Sequence, residues 1–197
     1  MASADPRERA AACLEAARDP SAVLLLDALG AALGDPERAV GEAASRAIAA
    51  IAASGAEVAG VLREALRSRD PQRRFRAALA SAHSEPPDRK LLPALVDALD
   101  FARAADRWSA ARVIVEIGRS NDEVRRLLLG LLRGDPRARV RSMALHALQQ
   151  LAPEDREALE LFRAAGASPD PELRRAARIA LGARAAQPGP KSNASSE

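Results

Sequence analysis

The sequence predicts an all-α fold: a right-handed α-solenoid of about five stacked antiparallel helix pairs with an N-terminal capping helix. Three observations carry that expectation. Of the 197 residues, 48% are hydrophobic but only 2% aromatic, and alanine supplies much of the apolar share. Alanine is the strongest helix former because it loses no side-chain entropy, yet it fills a thick core poorly. Thin layers of close-packed helices suit it. Asp-Pro recurs at 35–36, 70–71, 135–136 and 170–171, with the first two 35 residues apart and the last two likewise. Small or apolar residues also recur in register: Ala44, Leu79, Ala110, Ala144 and Ala177, then Ala47, Ala82, Val113, Ala147 and Ala180.

The elements follow in order. A capping helix is expected at about 7–18, then repeats over 21–54, 56–85, 88–119, 121–152 and 154–184, and a disordered tail over 185–197. First helices carry apolar stripes: AVLLLDALGAAL, VAGVLREAL, LLPALVDAL, VRRLLLGLL and REALELF. At each turn Asp is expected to accept from the first free N–H groups of the next helix, with Pro at the first helical position. Second helices then open at Val40-Gly41, Phe75-Arg76, Asp106-Arg107, Val140-Arg141 and Leu173-Arg174, whose second members lie 35, 31, 34 and 33 residues apart. A period in this range marks an array in which each unit buries its face against its neighbours. Gly34 and Gly134 suit helix ends. Gly41 departs from the pattern, since glycine inside a helix costs roughly 1 kcal/mol against alanine. The third turn, DFARAADRW, lacks Asp-Pro and puts Trp108 where the other repeats have Glu42, Ala77, Ser142 and Arg175.

The phrases DPRARVRSMALHALQQL (135–151) and RWSAARVIVEIG (107–118) resemble the second helix of HEAT repeats, in the short bacterial HEAT-like form also found in phycobilin lyases. The resemblance covers roughly residues 20–184. It implies that second helices line a concave face, and that an Arg following Val pairs with an acidic group of the neighbouring repeat. Asp70, Asp135 and Asp170 are available for that ladder.

Catalysis fails on inventory. The histidines are His83 and His146 and the one cysteine is Cys13, so no Cys/His metal set, Cys-x-x-Cys or His-Glu motif is present. No glycine-rich phosphate loop occurs, and no enzyme activity, metal or cofactor is expected. Cys13, among alanines, reads as a small buried hydrophobe. His83 ends a helix, where a cation suits the dipole, and His146 reads as solvent-facing. The charged N-terminus lacks a signal peptide's apolar run, and residues 22–33 are too short to span a bilayer and carry Asp27. A soluble, cytoplasmic monomer is expected.

With 30 basic and 27 acidic residues the net charge is +3, which by itself is no nucleic-acid signature. The candidate sites are therefore arrangements of arginine. Arg76, Arg107, Arg141 and Arg174 share one repeat position, and Arg46, Arg112 and His146 share a second. Two readings of the first column stand: the ladder, or a cationic row for an acidic protein segment. Trp108 is either an interface anchor or packing between helices. The densest basic stretch, 63–76, holds Arg63, Arg67, Arg69, Arg73, Arg74 and Arg76. The expected function is a non-enzymatic helical-repeat scaffold or adaptor that binds protein through its concave face. Nucleic-acid binding through the Arg columns and the 63–76 patch is the alternative, although stacking aromatics are scarce. A phycobilin-lyase-like accessory role follows from the resemblance alone.

Overall fold

The structure, a computed structural model, describes residues 3–185. It contains eleven α-helices and no strand among the described residues. The all-helical reading stands. The chain divides into two compact units, Met1–Ile117 and Gly118–Glu197. The first holds α1 (Pro6–Ala16), a 3-10 turn (Pro20–Leu25) leading into α2 (Leu26–Ala32), α3 (Arg38–Ala53), α4 (Ala59–Leu66), α5 (Pro71–Ser84), α6 (Leu92–Ala98) and α7 (Ala104–Gly118). The second holds α8 (Asp122–Gly134), α9 (Ala138–Leu151), α10 (Arg156–Ala165) and α11 (Pro171–Ala185). Of the expected tail 185–197, Ala185 is the last residue of α11; the rest lies outside the described residues.

The repeat is more regular than the Asp-Pro spacing suggests. The N–H groups of Gly41, Arg74, Arg107, Arg141 and Arg174 close the first turns of the second helices on the carbonyls of Glu37, Asp70, Arg103, Arg137 and Asp170. These five cap residues lie 33, 33, 34 and 33 apart. The spacings of 35 and 31 had arisen because Asp-Pro marks two different places. Asp70 and Asp170 are true N-caps, accepting from Gln72 N–H and Arg73 N–H at 2.9 and 3.3 Å and from Glu172 N–H and Leu173 N–H at 2.8 and 3.2 Å. Asp35 and Asp135 stand two residues before the cap and accept from Glu37 N–H and Arg137 N–H at 2.8 and 2.9 Å. In this register the repeat mate of Arg107, Arg141 and Arg174 is Arg74, not Arg76.

The corrected register also accounts for the core. Ala44, Ala77, Ala110, Ala144 and Ala177 form one column, and all are fully buried. A methyl there lets neighbouring helices approach closely. The first helices contribute Leu29, Leu62 and Leu95 to one unit and Leu128 and Phe162 to the other, again at a single register position and all buried. Burying each such side chain stabilises by about 1.5–3 kcal/mol. Leu79 leaves the alanine column and joins Arg46 and Arg112 in the second.

Helix α1 belongs to the same scheme. Asp5 caps it, Pro6 is its first residue, and Arg9 N–H returns to Asp5 O. In its cap pattern it is a second helix. Where complete repeats bury Val40, Val140 and Leu173, α1 exposes Glu8, and where they bury Ala47, Ala80 and Val113, it exposes Glu15. Those carboxylates end the apolar face, which is what a cap requires.

Candidate binding groove on the second helices

The shared arginine of each second helix is a clamp. Arg74 Nη1 donates to the carbonyls of Ser68 and Arg69 at 2.9 and 3.0 Å, and Arg107 Nη1 to those of Phe101 and Ala102, both at 2.8 Å. Arg141 Nη1 reaches Asp135 O and Pro136 O at 2.7 and 3.2 Å, and Arg174 Nη1 reaches Ser168 O and Pro169 O at 2.6 and 3.0 Å. Arg9 repeats the pattern on Ser3 O and Ala4 O at 3.0 and 3.1 Å. In every case the acceptors lie six and five residues upstream, in the turn that the helix follows. A charged donor there satisfies carbonyls that the turn leaves free. Three of these arginines also reach an acid of the next repeat: Arg9 to Asp35 at 2.8 Å, Arg74 to Asp97 at 2.7 Å, and Arg141 to Asp170 at 3.9 Å. Of Arg76, Arg107, Arg141 and Arg174, only Arg141 makes the expected ladder contact among the described residues, to Asp170, while Arg9 and Arg74 make it to Asp35 and Asp97. Asp70 caps its own helix, and Asp135 pairs with its own neighbour Arg137 at 2.9 Å.

Gly41 occupies the clamp position of α3 and has no side chain to supply the donor. Arg76 supplies it from the next repeat, with Nη1 donating to Leu33 O at 2.8 Å and Asp35 O at 3.0 Å. Its guanidinium lies against Gly41, where any Cβ would overlap it. This is the physical reason for the glycine in the helix. Arg76 is only 6% exposed, so it is not part of an open cationic row. Burial pulls its guanidinium below its ordinary value, opposed by Asp70 and Glu42.

Along α3, α5 and the start of α7 lies a groove of about 890 Å³. Phe75 and Phe101 line it edge to face, their rings 5.5 Å apart, beside Leu79. An ionic chain runs across the same lining. Arg38 meets Glu42 at 2.5 Å, and Arg103 approaches Glu42 at 3.8 Å and Asp106 at 4.0 Å. Asp106 takes a register position that is buried and apolar in three other repeats, as Val40, Val140 and Leu173. Burial raises its carboxyl above the ordinary range, with Arg38 and Arg76 opposing and Glu42 reinforcing. Buried donors beside an apolar floor are the means of holding a ligand.

The remaining candidates disperse. Arg46 and Arg112 are exposed on α3 and α7, and Arg46 Nε contacts Glu42 O at 3.3 Å. His146 is half-buried rather than solvent-facing, because α9 tucks the ring in, and burial lowers it below the usual imidazole value. Trp108 is 44% exposed at the position where α5 buries Phe75. The 63–76 stretch does not form one patch. Arg63, Arg67 and Arg69 are exposed, whereas Arg73 turns inward to Gly30 O at 3.1 Å, and Arg74 and Arg76 clamp backbone. Arg9 and Arg74 were missed as column members. The phrase Asp-Pro-x-x-Arg at 5–9, 70–74 and 170–174 carried that signal. Among the described residues no helix is long and apolar enough to cross a membrane, and no three His, Cys, Asp or Glu side chains gather as for a metal ion.

No curated protein matches the chain. Among solved structures it is similar to an engineered protein of the Northeast Structural Genomics Consortium, at 22% identity and TM-score 0.44, covering 92% of each chain. It is also similar to a designed armadillo repeat protein in complex with the peptide (KR)4, at 20% identity and TM-score 0.46, covering 88% of this chain and 90% of that one. A third is the complex of CpcE and CpcF of phycocyanin lyase from Nostoc sp. PCC7120, at 25% identity and TM-score 0.46, covering 92% and 73%. The family described as HEAT repeats matches residues 92–182, which include both phrases that carry the resemblance. Residues 92–182 of this chain are thus similar to HEAT repeats.

Proposed function

We propose that the chain is a non-enzymatic protein-interaction module that holds a short, acidic segment of a partner protein along its second-helix face. The observation that carries this reading is the groove across α3, α5 and α7. The first column being committed to the frame, we assign to the partner Arg46 and Arg112, exposed on α3 and α7 with Leu79 of α5 between them in register. Packed helices lie roughly 8–10 Å apart, a step that an extended chain makes in about three residues. The matching segment places an apolar residue between two acidic ones, each about three residues away.

The test is a photo-crosslinking residue at Ala49, which lines the groove, in nuclease-treated lysate, with the same residue at exposed position 69 as control. Cross-links at 49 are expected to survive nuclease and to be lost on reversing charge at Arg46 and Arg112 together. Both arginines are exposed, so the double variant is expected to fold. Cross-links that vanish with nuclease, or that form only from position 69, sink the reading.

A further inference from the structure

Arg76 stands where other second helices place core residues. Its register mates include Ala43, Met143 and Ala176, which are 1%, 3% and 3% exposed. The missing clamp at Gly41 explains why a guanidinium is there, and explains what Nη1 does. It leaves the other edge unexplained. Among the described residues Nε and Nη2 of Arg76 donate to no protein group, and neither is among the sealed polar atoms left without a partner. Arg76 is one of the residues that line the groove.

The Nε–H and Nη2–H pair forms the side-on fork of a guanidinium, the shape that takes both oxygens of a carboxylate. We propose that this fork is the seat for one acidic side chain of the partner segment, a monoanionic carboxylate held bidentate on Arg76 at the bottom of the groove. The proposal rests on the groove reading above and adds to it a single buried anchor. Three things make the seat available. The nearby carboxylates are already engaged: Asp35 by Arg9, Asp70 by the N–H groups of Gln72 and Arg73, and Glu42 by Arg38. Asp106, the fourth, has Arg103 at 4.0 Å and makes no hydrogen bond to Arg76. The guanidinium is also pinned by two carbonyls and lies flat against Gly41, so little side-chain entropy remains to be lost on binding. Finally, Phe75, Phe101 and Leu79 supply an apolar floor beside it for a neighbouring residue of the same segment. Glu42, Asp70 and Asp106 around the seat disfavour a dianion such as phosphate.

The experiment observes the donor itself. In the 15N-labelled full chain the Arg76 Nε–H cross-peak is assigned by its absence from Arg76→Lys, then followed while Ac-Leu-Glu-Leu-NH2 or its glutamine counterpart is added. The glutamate peptide is expected to shift that cross-peak and to bind roughly ten- to hundredfold tighter than the glutamine peptide, the worth of a charge-assisted hydrogen-bonded pair. In Arg76→Lys the preference is expected to shrink. If that variant does not fold, the cross-peak is assigned from backbone correlations and the wild-type comparison decides alone. Equal binding of the two peptides at Leu79 and Ser109 overturns the carboxylate seat and leaves the groove reading standing. Glutamate binding that spares the Nε–H peak overturns Arg76 as the anchor. A phosphoserine peptide preferred over glutamate overturns the monoanion assignment. If neither peptide perturbs α3, α5 or α7, the seat falls, and the groove reading is decided by the cross-links at Ala49.

Discussion

At the scale of single residues, the pair Gly41 and Arg76 is the clearest case of one position determining another. A second helix in this chain needs a guanidinium on the carbonyls of its preceding turn, and α3 borrows its neighbour's. Arg76→Ala leaves Leu33 O and Asp35 O without their charged donor, which is expected to cost about 1–3 kcal/mol. Gly41→Arg alone forces two guanidiniums into one space and is expected to cost about as much. The double variant restores at both positions what α9 and α11 approximate: a clamp arginine four residues after the cap and a small or apolar residue two further on. It is expected to be more stable than either single variant. Urea unfolding of the four proteins closes the double-mutant cycle. If the two costs simply add, the borrowed clamp is not what couples these residues.

At the scale of elements, the first helices share a register, and the N-terminal one breaks it. Leu24 occupies the position of Glu57, Lys90, Glu123 and Glu157, and it is 88% exposed. Its neighbours Val23 and Leu25 are also exposed, whereas the register mates of Leu25, from Val58 to Ala158, are buried. Within their units α4 packs against α2 and α10 against α8, whereas no first helix precedes α2 among the described residues. An exposed apolar run promotes self-association. Leu24→Glu is expected to reduce concentration-dependent association in sedimentation velocity, while changing stability by no more than about 0.5 kcal/mol. A loss of several kcal/mol instead would show that Leu24 is packed in solution.

At the scale of the whole molecule, stability is expected to respond to pH in two opposite ways. Hydrogen bonds from Arg9 and Arg137 hold the carboxyls of Asp35 and Asp135 below their ordinary range. Such groups stabilise fully above their unfolded value, and the contribution is lost as pH falls through the folded value. Asp106 runs the other way: burial raises it, so ionising it costs stability as pH rises from the ordinary carboxylate value of about 3.9 through its raised one. Asp106→Asn is therefore expected to unfold at higher urea than the wild type at neutral pH, with the gap closing in acid. A gap that stays constant with pH would mean that the side chain's shape, and not its charge, is responsible.

What the sequence by itself determined is the local part. Alanine content, the stripes of Leu and Val, and Asp-Pro at helix starts specify helices and their pairing, because capping and amphipathic burial act over a few residues. HEAT resemblance was legible at 107–118 and 135–151 for the same reason. The exact register was not, because Asp-Pro serves as N-cap at 70 and 170 but precedes the cap by two residues at 35 and 135, and only the backbone hydrogen bonds distinguish the two. Nor was the fate of the arginines. A guanidinium on a long stem reaches a carbonyl of its own turn or of the next repeat equally well, so Arg76 and Arg46 look alike as letters. Tertiary packing decided that one is buried under Gly41 and the other stays at the surface, because only the folded chain brings residues 43 positions apart, such as Leu33 and Arg76, within hydrogen-bonding distance.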